Sequence, residues 1–386
     1  MHQKSTFLIL ALVVSMAACG YFKNIGLLTN GKMLREDFVQ AVPFEFKKGL
    51  IVVKARLNAD STEREFIFDT GAFNSKVEKG LAKRLGLKTV TSKTNTDSNG
   101  NSRTIEVARI DSLLIGETWF SDIGAGKVEY GEDSATPCIA SDGIIGANLI
   151  KLAHWKIDYL NKTLYFSDTA FERKDTLQNF ELGVSTPLLS GTPSISVLLN
   201  GKEIDGVLFD VGYNGGLILP AEWAKAFPNV PSEIYCDKST TGIYGTREDT
   251  ITSKLLHLNI GGFEAEIPVE FSTIGKGLLG NEILEHFTVY VDYEEMLIHL
   301  QLQSAMEVPG SIAFLPGVLN DSLWVVARSQ PGMPIQLGDT LRSINGQHPE
   351  DVFTDYCEYF MNIRSFLDQD SLEIITAKGE EIFLNR

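Results

Sequence analysis

The stretch Phe68-Asp69-Thr70-Gly71-Ala72-Phe73 follows the apolar pair Phe66-Ile67 and leads into a polar segment. An acid at the end of an apolar, strand-like run, followed by a hydroxyl and a glycine, forms a turn that presents its carboxylate. Glycine lets the turn fold tightly and lets backbone N–H groups approach the acid. The Thr70 hydroxyl is placed to brace a partner loop. One carboxylate is not an acid–base site of this kind, because the chemistry needs two that share one proton. A second is therefore required elsewhere in the chain.

Val207-Leu208-Phe209-Asp210-Val211-Gly212 supplies it, and its surroundings repeat as well. Asp69 is followed by Gly143-Ile144-Ile145-Gly146 and then by Asp158-Tyr159, and Asp210 by Gly277-Leu278-Leu279-Gly280 and then by Asp292-Tyr293. The first glycine precedes the Asp-Tyr pair by 15 residues in both copies (158 − 143 and 292 − 277). Leu113-Leu114-Ile115-Gly116 answers to Leu258-Asn259-Ile260-Gly261, and the lead-in strands Val52 to Asn58 and Ile195 to Asn200 also correspond. Repetition at this scale marks a duplicated lobe rather than a chance tripeptide.

On these motifs, roughly residues 43–302 resemble the pepsin/retropepsin superfamily of aspartic proteases in a bacterial two-lobed form. The resemblance implies a mainly β fold of two duplicated pepsin/retropepsin-like β-barrel lobes. It implies that Asp69 and Asp210 are the catalytic pair. Thr70, Gly71 and Gly212, with the threading segments ending at Gly146 and Gly280, would support the catalytic loops. It implies a peptide or protein substrate and no cofactor. The departure is Val211, where the family has Thr or Ser; valine keeps the shape but loses the hydroxyl and its hydrogen bonds.

The composition is that of a globular protein, 44% hydrophobic and 22% charged, and the net charge of −16 disfavours nucleic acid as a partner. Residues 1–18 read as a signal peptide, with Lys4 before the apolar run Phe7 to Val14. Met16-Ala17-Ala18-Cys19 resembles a bacterial lipobox, with Met in place of the usual Leu. Cys19 is thus a candidate for acylation, a membrane anchor, and a periplasmic or outer-membrane place in the cell envelope. Cleavage there leaves a net charge of −17 (−16 − 1, Lys4 being removed). The remaining Cys138, Cys236 and Cys357 are odd in number and far apart, and read first as buried or half-buried thiols, with a Cys138–Cys236 bridge as the alternative. No closely spaced His/Cys cluster suggests a metal.

The boundaries expected are a tether over 19–42, lobe one over 43–167, a linker over 168–185 and lobe two over 186–303. Lys76 to Leu85 is predicted as a helix, from apolar Val77, Leu81, Ala82 and Leu85. Thr89 to Thr96 and Thr104 to Ile110, joined by the turn Asp97-Ser98-Asn99-Gly100-Asn101, form a candidate flap. Asn99 and Gly100 at its tip are candidate substrate contacts. The matching hairpin of lobe two centres on Thr241-Gly242-Ile243-Tyr244-Gly245, where Tyr244 offers a ring and a hydroxyl to a bound peptide.

After about Pro309 the repeat stops. Val325-Val326-Ala327 and the run from Pro334 to Gly346, with its Gly338-Asp339 and Asn345-Gly346, resemble a PDZ domain, expected over 304–386 as a separately folding α+β unit. That resemblance implies a groove helix within 350–365 and a peptide ligand bound as an added strand. Its carboxylate-binding loop would be Phe314-Leu315-Pro316-Gly317, where Pro316 has no N–H to donate. No Ser-nucleophile, nucleotide-binding or zinc-peptidase motif occurs, and His154, His257, His286 and His299 stand alone. Two readings follow. One is an endopeptidase in which two aspartates activate water; the other is a peptide-binding lipoprotein that does not cut, suggested by Val211.

Overall fold

The computed structural model describes residues 26–27, 29–173, 178–187, 190–306, 312–320 and 322–385. The signal segment and Cys19 lie outside the described residues. Among the described residues the strands build three large sheets. One forms lobe one, one joins the two lobes, and one runs through lobe two into the C-terminal unit.

Each lobe is built on the same local pattern. In lobe one the strand Arg64–Phe68 lies between Leu50–Leu57, antiparallel, and Gly143–Ile145, parallel. In lobe two Lys202–Phe209 lies between Ser194–Leu199, antiparallel, and Leu278–Leu279, parallel. The parallel pairing comes from the apolar-apolar-Gly segments, which thread back beside the strand that carries the acid. Burial alternates as a two-residue period requires. Ile51, Val53, Phe66, Phe68 and Ile145 enter the main core, whereas Leu50, Val52, Ile67 and Ile144 form a separate apolar face.

The lobes are joined by an antiparallel six-stranded sheet in the order Asn179–Gly183, Leu297–Leu302, Phe287–Asp292, His154–Asp158, Thr163–Ser167, Val39–Pro43. Its centre is the pairing of Trp155–Asp158 with Thr288–Val291, one hairpin from each copy. The repeated Asp-Tyr pairs end the first strand of each hairpin. Asp158 there accepts the Asn161 N–H, and Asp292 accepts those of Glu294 and Glu295.

Several boundaries differ from the sequence reading. Part of the expected tether is built into the fold, since Lys32–Met33 pairs with Ser121 and Phe120 and Val39–Pro43 edges the interlobe sheet. Buried Phe38 and Val42 explain this, because the segment has apolar side chains to bury. The expected linker likewise contributes the strand Asn179–Gly183. Ser75–Glu78 is a strand, and the helix is only Lys79–Arg84, capped by the Glu78 carboxylate accepting the N–H groups of Gly80 and Leu81. Pairing with a strand on each side outweighs the helical spacing of Val77 and Leu81.

The C-terminal unit has its own apolar cluster around Trp324, Ile335, Ile344, Tyr359 and Ile374. It comprises the strands Leu315–Leu319, Leu323–Ser329, Thr340–Ile344, Ser371–Thr376 and Glu381–Asn385 and an eleven-residue helix, Tyr356–Phe366. It does not stand apart from the lobes. Its strand Leu323–Ser329 pairs with Glu233–Asp237 of lobe two. Arg328 donates to Asp237 at 2.9 Å and to Glu270 at 3.2 Å, and lies over the Tyr235 ring. A disulfide joins Cys138 of lobe one to Cys357, replacing the free thiols and the Cys138–Cys236 bridge considered from sequence. Cys236 is the free cysteine among the described residues.

Asp237 is fully buried, so Arg328 is needed to balance it. Arg328→Met should cost about 3 to 5 kcal/mol by leaving a buried carboxylate without its cation. The double variant with Asp237→Asn should recover part of that loss. Urea unfolding of the two proteins measures both; equal midpoints for wild type and Arg328→Met would show that this junction contributes nothing.

Candidate active site

Two turns meet between the lobes. The Asp69 N–H donates to the Ile145 carbonyl at 3.0 Å and the Asp210 N–H to Leu279 at 2.9 Å, so each acid is hung from its threading segment. Asp69 Oδ1 accepts the Ala72 N–H at 2.7 Å, and Asp210 Oδ1 accepts the Gly212 N–H at 2.8 Å. Behind them, the Ala147 N–H donates to the Ala72 carbonyl and the Asn281 N–H to that of Tyr213, both at 2.8 Å. Gly146 and Gly280 are required there, since a Cβ on either would strike the backbone of the turn in front.

The closest approach is reciprocal. A Cβ on Gly71 would collide with the Asp210 carboxyl, and one on Gly212 with the Asp69 carboxyl. Each turn's glycine thus makes room for the other turn's acid. The Gly71 N–H also serves both acids. The Thr70 hydroxyl donates to the Phe209 carbonyl at 2.6 Å and accepts the Val211 N–H at 3.1 Å. Val211 is fully buried and cannot make the return pair. The brace between the turns is therefore one-sided.

Asp210 is 9% exposed and Asp69 somewhat more open. Burial pushes the Asp69 carboxyl above the ordinary carboxylate range, against the pull of Lys76, the Ala72 N–H and a hydrogen bond from Asp210. Burial pushes the Asp210 carboxyl well above the ordinary range too, and the charge of Asp69 adds to it. Both carboxyls are thus pushed upward by burial, and two acids this close share a proton and titrate as a pair. The arrangement can do general acid–base work, with one carboxylate to take a proton and one acid to give it.

A family model described as Aspartyl protease matches residues 53–149. The match runs from the lead-in strand through Asp69 to the segment after Gly146, and supports a peptidase role in general terms. The fold is mainly β, in keeping with pepsin-like lobes. No curated protein matches the chain.

The hairpin tips expected to contact substrate contact each other. Asn99 Nδ2 donates to the Thr240 and Gly245 carbonyls at 3.1 and 3.0 Å, and Asn95 Nδ2 to the Tyr244 hydroxyl at 2.9 Å. The Tyr244 N–H donates to Asp97 at 3.1 Å, and the Tyr244 ring is buried under Arg103. Gly100 adopts φ +80°, as its turn requires, and faces Arg247. The two hairpins form a closed bridge between the lobes.

Lys76 was not singled out from sequence, where it fell in the expected helix. In the strand Ser75–Glu78 it pairs with Ile144 and Gly126, and it is 7% exposed. Burial pushes its amine down from the usual lysine range, while Asp69 and Asp210 pull it back up. Its Nζ approaches the Asn74 carbonyl at 3.4 Å, and Lys93 of the flap strand binds the Asn74 side chain and lies over Phe73. A charged side chain in the strand after the acid, where an apolar one would pack, was the signal available in the sequence.

Lys93 reports on its neighbour. Burial lowers its amine to about 8, and the charge of Lys76 contributes. Removing that charge in Lys76→Met should raise the Lys93 value. Measured by the pH dependence of amine acylation at Lys93, an unchanged titration would mean that Lys76 carries no charge beside the pair.

Proposed function

We propose that the chain is an aspartic endopeptidase of the cell envelope, anchored by a lipid on Cys19. The observation that carries this reading is the reciprocal seating of Asp69 and Asp210, each against the other turn's glycine. In the reaction, ionised Asp69 takes a proton from a water held between the two carboxyls. Asp210 donates its proton to the substrate carbonyl oxygen as that water adds to the carbon. Asp69 then passes the proton it took to the amide nitrogen, the C–N bond breaks, and a hydroxyl of the tetrahedral intermediate returns a proton to Asp210. The cation of Lys76 favours the singly charged pair and keeps Asp69 as the base.

The order of elements in the C-terminal unit supports a PDZ-like reading, with a helix at Tyr356–Phe366 as the candidate groove helix and a strand at Ser371–Thr376 after it. The Tyr359 hydroxyl donates to the Pro316 carbonyl at 2.8 Å, across the space between the helix and the expected carboxylate-binding loop. The alternative, a peptide binder that does not cut, has Val211 in its favour. Thr70 supplies the cross-brace from one side, and a loss of about 1 kcal/mol per missing hydrogen bond leaves the turns assembled.

Asp69→Asn and Asp210→Asn should each abolish hydrolysis of a mixed peptide library, assayed from acid to neutral pH with and without a thiol reductant. The profile should be bell-shaped, falling at low pH as Asp69 gains a proton and at high pH as Asp210 loses its own. Because Asp210 is held so high, activity should persist toward neutral pH. Lys76→Met should move the acid limb upward, since the lost cation no longer favours the anion. Val211→Thr should keep or raise activity. Peptide binding without cleavage, unaffected by either Asp→Asn change, would leave the binder reading standing instead.

The anchor has its own test. Cys19→Ser should move the protein from the membrane fraction to the soluble one. Unaltered membrane association would remove the lipid from the proposal.

A further inference from the structure

The apolar face set apart from the lobe-one core lies beside the acids. Val52, Ile67 and Ile144 form one cross-strand row, Val52 pairing with Ile67 and Ile67 with Ile144. Ile67 is two residues before Asp69, and side chains two apart on an extended chain share a side. The row therefore faces the side on which Asp69 presents its carboxyl. Leu50, Ala72, Ile139 and Ala140 complete the patch, and the Ala72 N–H is itself bonded to Asp69.

Two side chains from elsewhere in the molecule pack on this patch, Ile243 from the lobe-two hairpin and Phe360 from the C-terminal helix. Phe360 is also near Lys48 of lobe one, whose ammonium lies 5.7 Å from its ring centre. Cys357 is three residues earlier on the same helix, so the two side chains share a helix face. Its disulfide partner Cys138 immediately precedes Ile139 of the patch. One turn further on, Arg364 lies within electrostatic reach of Lys48 in lobe one and Glu282 in lobe two. The helix thus lies against lobe one, with a covalent bond fixing it beside the patch.

We propose that in the oxidised protein Phe360, held by Cys138–Cys357, covers this patch as an intramolecular stand-in for an apolar side chain of the substrate. The inference rests on the peptidase reading above. Release follows from thiol–disulfide exchange with a dithiol. A reductant thiolate attacks one sulfur, the Cys138–Cys357 bond breaks, and a mixed disulfide forms. The second reductant thiol then displaces the protein sulfur, leaving Cys138 and Cys357 as thiols and the reductant as its disulfide. The helix is then held only by non-covalent contacts, and a substrate side chain displaces Phe360 at a lower cost.

The test uses the full chain in four forms: oxidised wild type, wild type reduced with dithiothreitol, Phe360→Ala, and Cys357→Ser. Binding of a phenylalanine-containing peptide is read by fluorescence anisotropy, and cleavage of the same peptide is followed separately. Reduction and each substitution should tighten binding at least tenfold and lower KM, with kcat little changed. Equal affinity in all four forms would overturn the stand-in, whether or not the protein cleaves. Tighter binding in the last three forms with no cleavage in any would uphold the stand-in and sink the peptidase reading. An effect of Phe360→Ala without an effect of reduction or Cys357→Ser would overturn the role given to the disulfide. If Phe360→Ala fails to fold, the comparison of oxidised, reduced and Cys357→Ser protein still decides the point.

Discussion

The Thr70 hydroxyl, bonded both to the Phe209 carbonyl and to the Val211 N–H, is the contact on which the centre of the molecule depends. It is fully buried and reaches from one lobe's turn to the other's backbone. Around it the two glycines pack against the opposite carboxyls, so neither turn can shift without displacing the other's acid. The interlobe sheet sets the spacing at long range, and this single hydroxyl sets it at short range. Valine at the mirror position keeps the shape of the site but offers no acceptor to the Thr70 N–H and no donor to the Phe68 carbonyl, so the second half of the brace is missing.

The acids were legible in the sequence because their requirements are local and occur twice. A strand, an acid and a glycine must stand in that order, and the threading segment must follow with its own glycine. The six-stranded sheet was half legible: the Asp-Tyr repeats mark its two central hairpins, but nothing in Asn179–Gly183 or Val39–Pro43 announces an edge strand. Lys76 was hidden by a helical spacing that begins one residue later, at Val77. The covering of the acid-side patch was beyond reach, because it joins residues 219 apart in the chain, and no local pattern encodes such a contact.

The hairpins illustrate a different limit. Their strands and turns were predicted from turn chemistry and alternation, and they form as expected. Their use was not readable, because Asn99 and Tyr244 carry groups equally suited to a peptide or to each other. The structure pairs them with each other. Together with the helix Tyr356–Phe366, the second hairpin packs a side chain on the apolar patch that includes Ala72.

A pair of acids built from two identical subunits would see the same surroundings on both sides, and any substitution would appear twice. Here the halves are fused and have diverged. By strand register, the place that Lys76 holds opposite Ile144 is held in the second copy by Ile218, opposite Leu278. A lysine thus holds this place beside the acids in the first copy, with an aliphatic side chain as its counterpart in the second. Broken symmetry removes the need for the acids to be interchangeable. In the proposed reaction, the choice of which carboxyl begins as base and which as acid is then set by the covalent chain before any substrate arrives.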